Sequence, residues 1–373
     1  MKNILFLTGT RADFGKIKSL IQILEGHQAF KVFVFVTGMH LLKEYGYTLI
    51  EIERCGFKNV HTFENHTHET TMDLTLAKTI EGLSAYVKTV NPDMIVVHGD
   101  RVETLAGAIV GSLNNILVAH MEGGELSGTV DELIRHSVSK LSHIHFVSNG
   151  DAKKRLLQMG EIASSVYKIG SPDIDIMFSN NLPTLEVVKK YYEIPFKDYA
   201  IVMFHPVTTE AAAIKKQAND FVAALLEDTH NYVVVYPNND LGSHTIIAAY
   251  KPLKNNPRFR VFPSLRFEYF LTLLKNAQFI IGNSSAGIRE APYYGIPIIN
   301  IGTRQQNRAL NADIVNVEYD EKSIGAALQN IDKHQVNKTT TDFGKGNSAA
   351  LFLESMQSKA LWDINHQKQF REL

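Results

Sequence analysis

Short apolar runs alternate with amphipathic helical patterns along the first half of the chain. The apolar runs have the length and composition of buried strands and lie at 3–9, 30–38, 93–99, 116–120 and 143–148. Segments with a helical spacing of apolar residues separate them, at about 14–27, 39–56, 70–90, 101–115 and 131–143. This regular alternation predicts a parallel sheet with helices on both faces.

The same alternation restarts in the second half, with apolar runs at 199–205, 231–236, 258–264, 277–282 and 296–302. The predicted fold class is therefore α/β, with two doubly wound, Rossmann-like domains facing a cleft. Pro and Asn cluster at 169–184, which favours a hinge there. The predicted domains are 1–172 and 173–355, and a C-terminal helix at 356–373 is expected to pack back on the first domain.

Composition narrows the class of protein. The 373 residues carry a formal net charge of -1, which gives no hint of a nucleic-acid or anionic membrane surface, so any anion must bind at a local site. The single cysteine, Cys55, excludes a disulfide within the chain and a cysteine-rich zinc site, and a half-buried structural thiol is expected. No run reaches about 18 apolar residues, so a cytoplasmic protein is expected.

Ligands of doubly wound domains bind beyond the carboxyl ends of the strands, so the residues at those ends are the candidates for chemistry. The first strand is followed by "TGTRADFGK" at 8–16, where a turn offers backbone N–H groups, Arg11 and Lys16 to an anion. The segment is neither a GxGxxG nor a GxxxxGK[ST] motif, which disfavours a nicotinamide or P-loop site. A plain strand-to-helix turn with a solvated Arg stays open.

Asp100 and Arg101 follow the apolar run at 93–99. Asp100 is either a carboxylate base facing the cleft or the N-cap of the helix that begins beside it, and one residue can do both. Its position in the sequence does not separate these readings.

The most unusual segment is "HMEGGELSGTVDELIRH" at 120–136, which combines four carboxylates with three glycines after a buried strand. The glycines, at 123, 124 and 128, allow tight turns and a close approach of backbone to a ligand. Glu122 follows the strand almost directly, and Asp131 stands where a helix begins. Asp131 can also cap that helix or pair with Arg135 four residues later, and Glu125 can be simply solvated.

In the second half, His205 ends a strand and Asn239 lies in the polar segment 237–243 that follows the next strand. The strongest phosphate signal is "GNSSAGIREAP" at 282–292, where Gly282, Ser284 and Ser285 precede a helix. A helix N-terminus with small hydroxyl side chains and glycine suits a diphosphate, and Glu290 can accept hydrogen bonds from ribose. A helix capped by serine is the plain alternative.

Six segments together resemble the hydrolysing UDP-N-acetylglucosamine 2-epimerases of bacterial sialic acid synthesis, and the epimerase half of the bifunctional animal enzyme. They are "TGTRADFGK" (8–16), "HGDR" (98–101), "HMEGGELSGTVDELIRHSVSKLSH" (120–143), "HPVTTE" (205–210), "GNSSAGIREAP" (282–292) and "GTRQ" (302–305). The resemblance implies a GT-B type of fold. The non-hydrolysing relatives share the acid at Glu122 but continue with Ala-Gly-Leu-Arg where this chain has "GGELSG".

The resemblance implies that UDP-N-acetylglucosamine and water become N-acetylmannosamine and UDP, by elimination to 2-acetamidoglucal and then hydration. It implies Asp100, Glu122 and Asp131 as catalytic acids, with the first two acting mainly in elimination and the third in hydration. The predicted substrate-binding set is Arg11, Lys16, Arg101, His205, Asn239, Gly282, Ser284, Ser285, Glu290 and Arg304.

The predicted partners are UDP-N-acetylglucosamine and UDP, with a homodimer or higher homo-oligomer expected by resemblance. No cofactor and no metal are expected, since His61, His66 and His68 lack HExxH spacing. Four alternatives stay open: a GT-B glycosyltransferase, a non-hydrolysing epimerase, a silent sugar-nucleotide sensor, and a hydrolysing epimerase for a UDP-diacetamido-trideoxyhexose.

Overall fold

The computed structural model describes residues 1–66, 71–127, 130–305, 313–334, 336, 340 and 342–372. The chain forms two compact units. The first contains Met1–Glu125, Asp131–Asn180 and Asp342–Leu373, and the second contains Leu126–Val130 and Asn181–Thr341. Gly128 and His68, named above, lie outside the described residues.

The first unit is built on a sheet with the strand order β3-β2-β1-β4-β5-β6-β7. All neighbouring strands in this sheet are parallel. The order reverses between β1 and β4, which is the point where doubly wound sheets bind ligands. The strands are β1 (Lys2–Thr8), β2 (Phe30–Val36), β3 (Val60–Thr62), β4 (Met94–His98), β5 (Leu117–Met121), β6 (Ile144–Val147) and β7 (Val166–Lys168).

Helices connect these strands and cover the sheet. They are α1 (Arg11–Glu25), α2 (Leu49–Glu53), α3 (Met72–Val90), α4 (Val102–Leu113), α5 (Val130–Leu141), α6 (Gly150–Gln158) and α7 (Pro172–Met177). Strands β4, β5 and β6 are buried throughout their length, as strands covered on both faces should be. Helix α1 begins at Arg11 because its N-cap residue, Thr10, forms a capping box with Asp13 in its first turn.

The second unit repeats this design, with the strand order β10-β9-β8-β11-β12-β13 and a reversal between β8 and β11. Its strands are β8 (Ala200–Met203), β9 (Tyr232–Val235), β10 (Phe259–Phe262), β11 (Ile280–Gly282), β12 (Ile298–Ile301) and β13 (Ile314–Val317). Its helices are α8 (Leu185–Tyr191), α9 (Ile214–Glu227), α10 (Ser243–Ala249), α11 (Lys251–Lys254), α12 (Phe267–Lys275), α13 (Ala286–Arg289), α14 (Ala291–Tyr294) and α15 (Glu321–Asn330). The predicted fold class, with two doubly wound α/β domains, is confirmed.

The C-terminal part of the chain belongs to the first unit. It contains α16 (Ser348–Gln357) and α17 (Lys359–Trp362). Phe352, Met356 and Leu361 are fully buried in the core that the first sheet and α1 also form. The chain therefore returns to the first unit at Asp342, before residue 356, where the sequence predicted that this return begins.

The limit between the predicted domains at 172 and 173 also differs from the structure, which keeps 173–180 in the first unit. The reason is α7, whose Asp173 lies 3.6 Å from Lys16 of α1 and whose Asp175 accepts hydrogen bonds from the N–H groups of Ser348 and Ala349. The units divide between Asn180 and Asn181, inside the predicted hinge.

The segment 39–56, whose apolar spacing is helical, does not form one continuous helix. The structure has 3₁₀ turns at Gly38–Leu41 and Lys43–Tyr45, and only the short α2 follows. Gly46 and Tyr47 have φ values of 91° and 46°, and this left-handed backbone interrupts the helix. Within the described part of the chain, no helix combines the length and apolar character that crossing a bilayer requires.

Candidate active site

Glu122 lies directly after β5 and is held by three side chains from separate segments. Ser171 donates a hydrogen bond of 2.8 Å to Oε1, and Lys16 Nζ lies 3.4 Å from the same oxygen. His98 Nε2 lies 3.4 Å from Oε2. Glu122 is only 5% exposed, so these partners fix a buried carboxylate at the carboxyl edge of the sheet.

The backbone at Glu122 is also unusual. Its φ of 63° is left-handed, a conformation that costs a non-glycine residue about 1–3 kcal/mol and clusters at functional sites. The next turn needs glycine, because a Cβ on Gly124 would lie 2.3 Å from the carbonyl oxygen of Ala152 and its φ is 75°. The close approach at Gly124 is made to the protein's own helix α6, and an approach of this backbone to a ligand stays a prediction.

Lys16, predicted as an anion contact, stands between two carboxylates. Besides Glu122, its ammonium lies 3.6 Å from Oδ2 of Asp173, which is fully buried. The single ammonium is shared by two acids and offsets part of their charge. Substrate binding by Lys16 stays a prediction.

Asp100 does not cap the following helix in the way its position suggested. Helix α4 begins at Val102 with Arg101 as its N-cap residue, which makes no side-chain capping bond. The Asp100 carboxylate instead pairs with the guanidinium of Arg135, which is buried on α5. Arg135 also donates a hydrogen bond of 2.7 Å to the carbonyl of Glu122. One arginine therefore fixes the positions of two predicted catalytic acids.

Asp131 lies in the first turn of α5, one residue after the helix begins at Val130. A carboxylate there interacts favourably with the helix dipole. Arg135, four residues later on the same helix, pairs with the Asp100 carboxylate. Asp131 is half-buried and lies on the same helix as Arg135. Helix α5 therefore carries one predicted catalytic acid and, through Arg135, binds a second, Asp100.

The turn after β1 is organised by Asp13. Its carboxylate accepts hydrogen bonds from the N–H groups of Gly9 and Thr10, at 3.0 and 3.2 Å, and from the hydroxyl of Thr8. Burial raises the pKa of Asp13, although the bonds from Thr8 and Gly9 oppose that rise. The backbone N–H groups predicted to face an anion are therefore bonded, at Gly9 and Thr10, to this internal carboxylate. Arg11 begins α1 beside them.

Arg101 lies beside a buried acid that the sequence analysis did not single out. Its Nε is 3.4 Å from Oε2 of Glu103, which is 2% exposed. The Glu103 side chain fills the space above Gly9 and Gly38, where an added Cβ would come within 3 Å of it. Glu103 therefore links the ends of β1, β2 and β4.

His120, at the end of β5, is a buried neutral group beneath these acids. Its Nε2 is 2.8 Å from the carbonyl oxygen of Gly99 and its Nδ1 is 3.1 Å from the hydroxyl of Ser139. Burial lowers the pKa of His120 to about 3, so the ring stays uncharged near neutral pH. It links the turn before Asp100 to α5.

The second unit places hydrogen-bond donors at its own switch point. Asn283, after β11, accepts from the N–H of His205 at 2.7 Å and donates to its carbonyl at 2.9 Å. His205 Nδ1 accepts from the N–H of Asn238 at 3.0 Å, which orients the ring. Arg304 donates to the carbonyl of Asn283 at 3.2 Å. His205 and Arg304 are thus brought together around Asn283.

The serine segment differs in detail from the prediction. Only a short helix, α13, follows it, and Ser285 has helical backbone angles and makes no side-chain cap. Ser284 Oγ accepts from the N–H of Ala286 at 3.3 Å. Gly282 is required, since its φ is 137° and a Cβ would lie 2.0 Å from the carbonyl oxygen of Met203. Glu290 is buried just after α13.

Other predicted residues have plainer surroundings. Asn239 lies between β9 and α10, at the same sheet edge as His205. Ser148 donates a 2.6 Å hydrogen bond to Glu125, so Glu125 is a bonded internal acid rather than a solvated one. Cys55 is half-buried, as predicted, and its thiol lies 3.2 Å from the carbonyl of Glu51.

No group of three or more His, Cys, Asp or Glu residues suited to a metal ion occurs within the described residues.

Several partners in this site were missed at the sequence level. His98 and Asn283 lie inside the segments "HGDR" and "GNSSAG" that carried the resemblance, so a signal existed for both. Ser171 and Asp173 lie in the segment assigned to the hinge. No local pattern marks them, because they reach Glu122 and Lys16 only after the chain has folded.

Comparison with known proteins agrees with this architecture. The sequence profile described as UDP-N-acetylglucosamine 2-epimerase matches residues 22–357. The UDP-N-acetylglucosamine 2-epimerase of Neisseria meningitidis serogroup B is 46% identical over 376 aligned residues, which cover 100% of both chains.

More distant relatives are the UDP-N,N'-diacetylbacillosamine 2-epimerase (hydrolyzing) of Legionella pneumophila, 32% identical over 94% of each chain, and the Escherichia coli polysialic acid biosynthesis protein P7, 32% identical over 87% of this chain and 84% of that protein. Among solved structures, the Methanocaldococcus jannaschii UDP-GlcNAc 2-epimerase in complex with UDP-GlcNAc and UDP matches with a TM-score of 0.81 at 22% identity, over 95% of this chain and 99% of that one. This structural match confirms the predicted GT-B type of fold. By profile and by whole-length similarity, the chain belongs to the UDP-N-acetylglucosamine 2-epimerase family.

Proposed function

We propose that this protein is a hydrolysing UDP-N-acetylglucosamine 2-epimerase, which converts UDP-N-acetylglucosamine and water to N-acetylmannosamine and UDP. The observation that carries the proposal is the set of acids at the carboxyl edge of the first sheet, where Arg135 ties Asp100 to the backbone of Glu122. The whole-length similarity to an epimerase for this sugar nucleotide supports the choice of substrate.

The chemistry of the sugar requires such a set. The hydrogen on C2 is not acidic in the substrate, because C2 is not next to a carbonyl group. When the C1–O bond breaks and its electron pair leaves with UDP, positive charge develops at C1 and the C2 proton becomes acidic. Loss of that proton to a carboxylate gives 2-acetamidoglucal. Water then adds its oxygen to C1. A proton adds to C2 on the face opposite to the one from which the first proton left, which gives the mannose configuration.

Asp100 and Glu122 are assigned to the elimination step. Carboxylates stabilise the developing positive charge at C1 and accept the proton from C2. Their fixed partners hold them in one geometry, which matters because a catalytic group must lie within reach of the reacting atom before the reaction begins. Asp131, at the start of α5, is assigned to the placement of proton and water in the hydration step.

The second domain is assigned to the nucleotide. His205, Arg304, Ser284 and Ser285 offer hydrogen bonds to the diphosphate, which leaves as a dianion or trianion and needs donors and positive charge. Glu290 is assigned to the ribose hydroxyls. Arg11 and Arg101, at the switch point of the first sheet, are assigned to the diphosphate as well.

Incubation with UDP-N-acetylglucosamine in deuterated water tests the proposal, with the sugar followed by proton NMR. The expected products are UDP and free N-acetylmannosamine that carries deuterium at C2. A product that keeps UDP would assign the chain to the non-hydrolysing reaction. An unchanged substrate without an acceptor, followed by transfer when acceptors are added, would indicate a glycosyltransferase. Tight UDP binding without any turnover would indicate a sensor.

A second substrate class is favoured by one specific comparison, the Legionella relative that is named for a UDP-linked diacetamido sugar. A parallel incubation with UDP-N,N'-diacetylbacillosamine decides between the two sugars. The proposal requires a higher kcat/KM for UDP-N-acetylglucosamine. Sialic acid synthesis, whose first step consumes this sugar nucleotide, is the proposed pathway, and the Escherichia coli relative is named for polysialic acid biosynthesis.

A further inference from the structure

The end of the chain makes an unusual set of contacts with the helix that carries Asp131. The ammonium of Lys368 donates to the carbonyl oxygen of Ser142 at 2.7 Å and to that of Ser139 at 3.4 Å. Both carbonyls lie at the C-terminal end of α5, where the last carbonyl groups of a helix lack partners within the helix. A cation at this end also interacts favourably with the helix dipole.

The same ammonium bonds to a buried carboxylate. Glu161, which is 2% exposed, accepts from Lys368 at 2.7 Å and from His145 of β6 at 2.9 Å through its Oε2 atom. Its Oε1 atom accepts from Lys140 of α5 at 3.0 Å. Glu161 thus joins the C-terminal segment, α5 and the sheet.

Three further bonds hold the segment 363–372, which we call the C-terminal strap, on the first unit. His366 Nδ1 lies 2.6 Å from the carbonyl oxygen of Asn115, and the carbonyl of His366 lies 2.8 Å from His143 Nε2. Arg371 donates to the carbonyl of Glu161 at 3.2 Å. The strap is therefore bonded along its length to the ends of α4, α5 and α6.

Helix α5 transmits these contacts to the acids in two ways. Near its middle, Arg135 binds the Asp100 carboxylate and the Glu122 carbonyl. One turn later, Ser139 contacts His120, which in turn contacts the carbonyl of Gly99 beside Asp100. Asp131 stands at the other end of the helix from Lys368. Backbone hydrogen bonds link the residues of one helix into a stiff element. A displacement at the C-terminal end of α5 therefore also displaces Asp131, Arg135 and Ser139.

We infer that Lys368 is a positioning residue for the reaction: by binding the C-terminal end of α5 and Glu161, it sets the distances among Asp100, Glu122 and Asp131. The inference rests on the proposed function for its effect on turnover, whereas the hold on α5 is independent of it. Lys368 itself does not touch the substrate in this scheme.

The test compares Lys368→Met, which removes the ammonium and keeps most of the stem, with Lys368→Arg, which restores a cation. Lys359→Met is the matched control, since Lys359 is an exposed lysine on the nearby helix α17. Because Lys368→Met leaves Glu161 with fewer partners, a chain that ends at Gln367 provides a second variant. All assays are run well below the unfolding midpoint of each variant.

Three measurements are made on each variant. Hydrogen–deuterium exchange of the 130–141 segment reports the hold on α5, and it is expected to accelerate in Lys368→Met and in the truncated chain but not in Lys359→Met. For turnover, kcat is expected to fall about tenfold or more, because misplacement by about 1 Å can cost a hundredfold. UDP affinity should change less than about twofold, and Lys368→Arg should recover most of the kcat.

The outcomes separate the two proposals. Unchanged exchange in α5 would overturn the inference whether or not the wild-type protein turns over a sugar nucleotide. Faster exchange with an unchanged kcat, or a lower unfolding midpoint alone, would leave Lys368 a structural residue and also overturn it. A wild-type protein that is inactive on every UDP-sugar would refute the proposed function, while the exchange measurement would still decide the hold on α5.

Discussion

The two sheets of this protein share the order of six strands but carry different chemistry at their carboxyl edges. In the first, the strand order reverses between β1 and β4, and the neighbouring strand ends carry Asp100 and Glu122 with a cation on each. In the second, it reverses between β8 and β11, and the strand ends carry His205 and Asn283, with Arg304 beside them. The fold supplies the position, and the residues at the strand ends decide whether it suits catalysis by acids or binding of phosphate.

The support given to these residues differs as well. The acids of the first sheet are held through side chains that come from distant parts of the chain, such as Ser171 and Arg135. The donors of the second sheet are organised around one amide, Asn283, by bonds to its backbone and side chain. Ionised groups that are buried need this denser support, because an unpaired buried charge is far costlier than an unpaired amide.

The largest effect is expected at Glu122. The substitution Glu122→Gln keeps the size of the side chain and removes the charge, so kcat should fall by about 10²–10⁴, as is usual for a group in acid–base catalysis. UDP affinity, measured by calorimetry, should stay close to wild type because the second domain is untouched. A variant with near-normal kcat would end the assignment of Glu122 and would remove the proposed contrast between the sheets.

The next effect is expected at Asp131. Asp131→Asn should retain the fold and UDP binding and lose at least about tenfold in kcat. Glu132→Gln is the matched control, because Glu132 is the adjacent acid in the same helical turn and lies 3.3 Å from His136. Equal losses in both variants would point to the charge of the α5 terminus rather than to Asp131 as the source of the effect.

The second sheet is tested at Arg304. Arg304→Met should weaken UDP binding by about tenfold or more, since a hydrogen bond to a charged group contributes about 1.5–3 kcal/mol. Arg260→Met is the control, because Arg260 lies on the same unit and pairs with the exposed Glu193. Calorimetric titration with UDP measures both. An Arg304 variant with wild-type affinity would end the assignment of Arg304 to the diphosphate.

A smaller effect concerns pH and the neutral His120. Its pKa is lowered from 6.5 to about 3 by burial, so between these values the unfolded chain binds a proton that the folded protein does not. Stability therefore rises with pH across this window and is lost as pH falls below about 6.5, at about 1.4 kcal/mol per pH unit for this one group.

Denaturant unfolding at pH 5, 6 and 7 measures this dependence. His120→Gln should reduce the slope of the free energy of unfolding against pH by the contribution of one proton. Ser139→Ala, which removes only the hydroxyl partner, should lower the free energy of unfolding and keep that slope. If the slope is the same in wild type and His120→Gln, the ring is not held neutral in the fold.

The smallest effect is expected at Cys55, which lies outside both switch points. Cys55→Ser should leave kcat and UDP affinity unchanged and should alter stability by about 1 kcal/mol or less, since the thiol is half-buried and bonds weakly to one carbonyl. A loss of turnover in this variant would reveal a site that neither sheet edge accounts for.

The two doubly wound domains could be predicted from the amino-acid pattern, because strand and helix periodicities are local and repeat along the chain. That pattern also identified the strand ends that carry Asp100, Glu122, His205 and Asn283, since an apolar run followed by polar residues and glycine is visible in one dimension. The edge strands β3, β7 and β13 were missed because each is short and contains a polar residue, so no continuous apolar run marks it.

Tertiary structure alone decided how the acids are held. Arg135 of α5 pairs with Asp100, which follows β4, and Ser171 reaches Glu122 from the segment predicted as a hinge. Lys368 reaches α5 from more than two hundred residues away along the chain. Local patterns report backbone preferences, whereas the partner of a buried charge is chosen by which surfaces the packed core brings together.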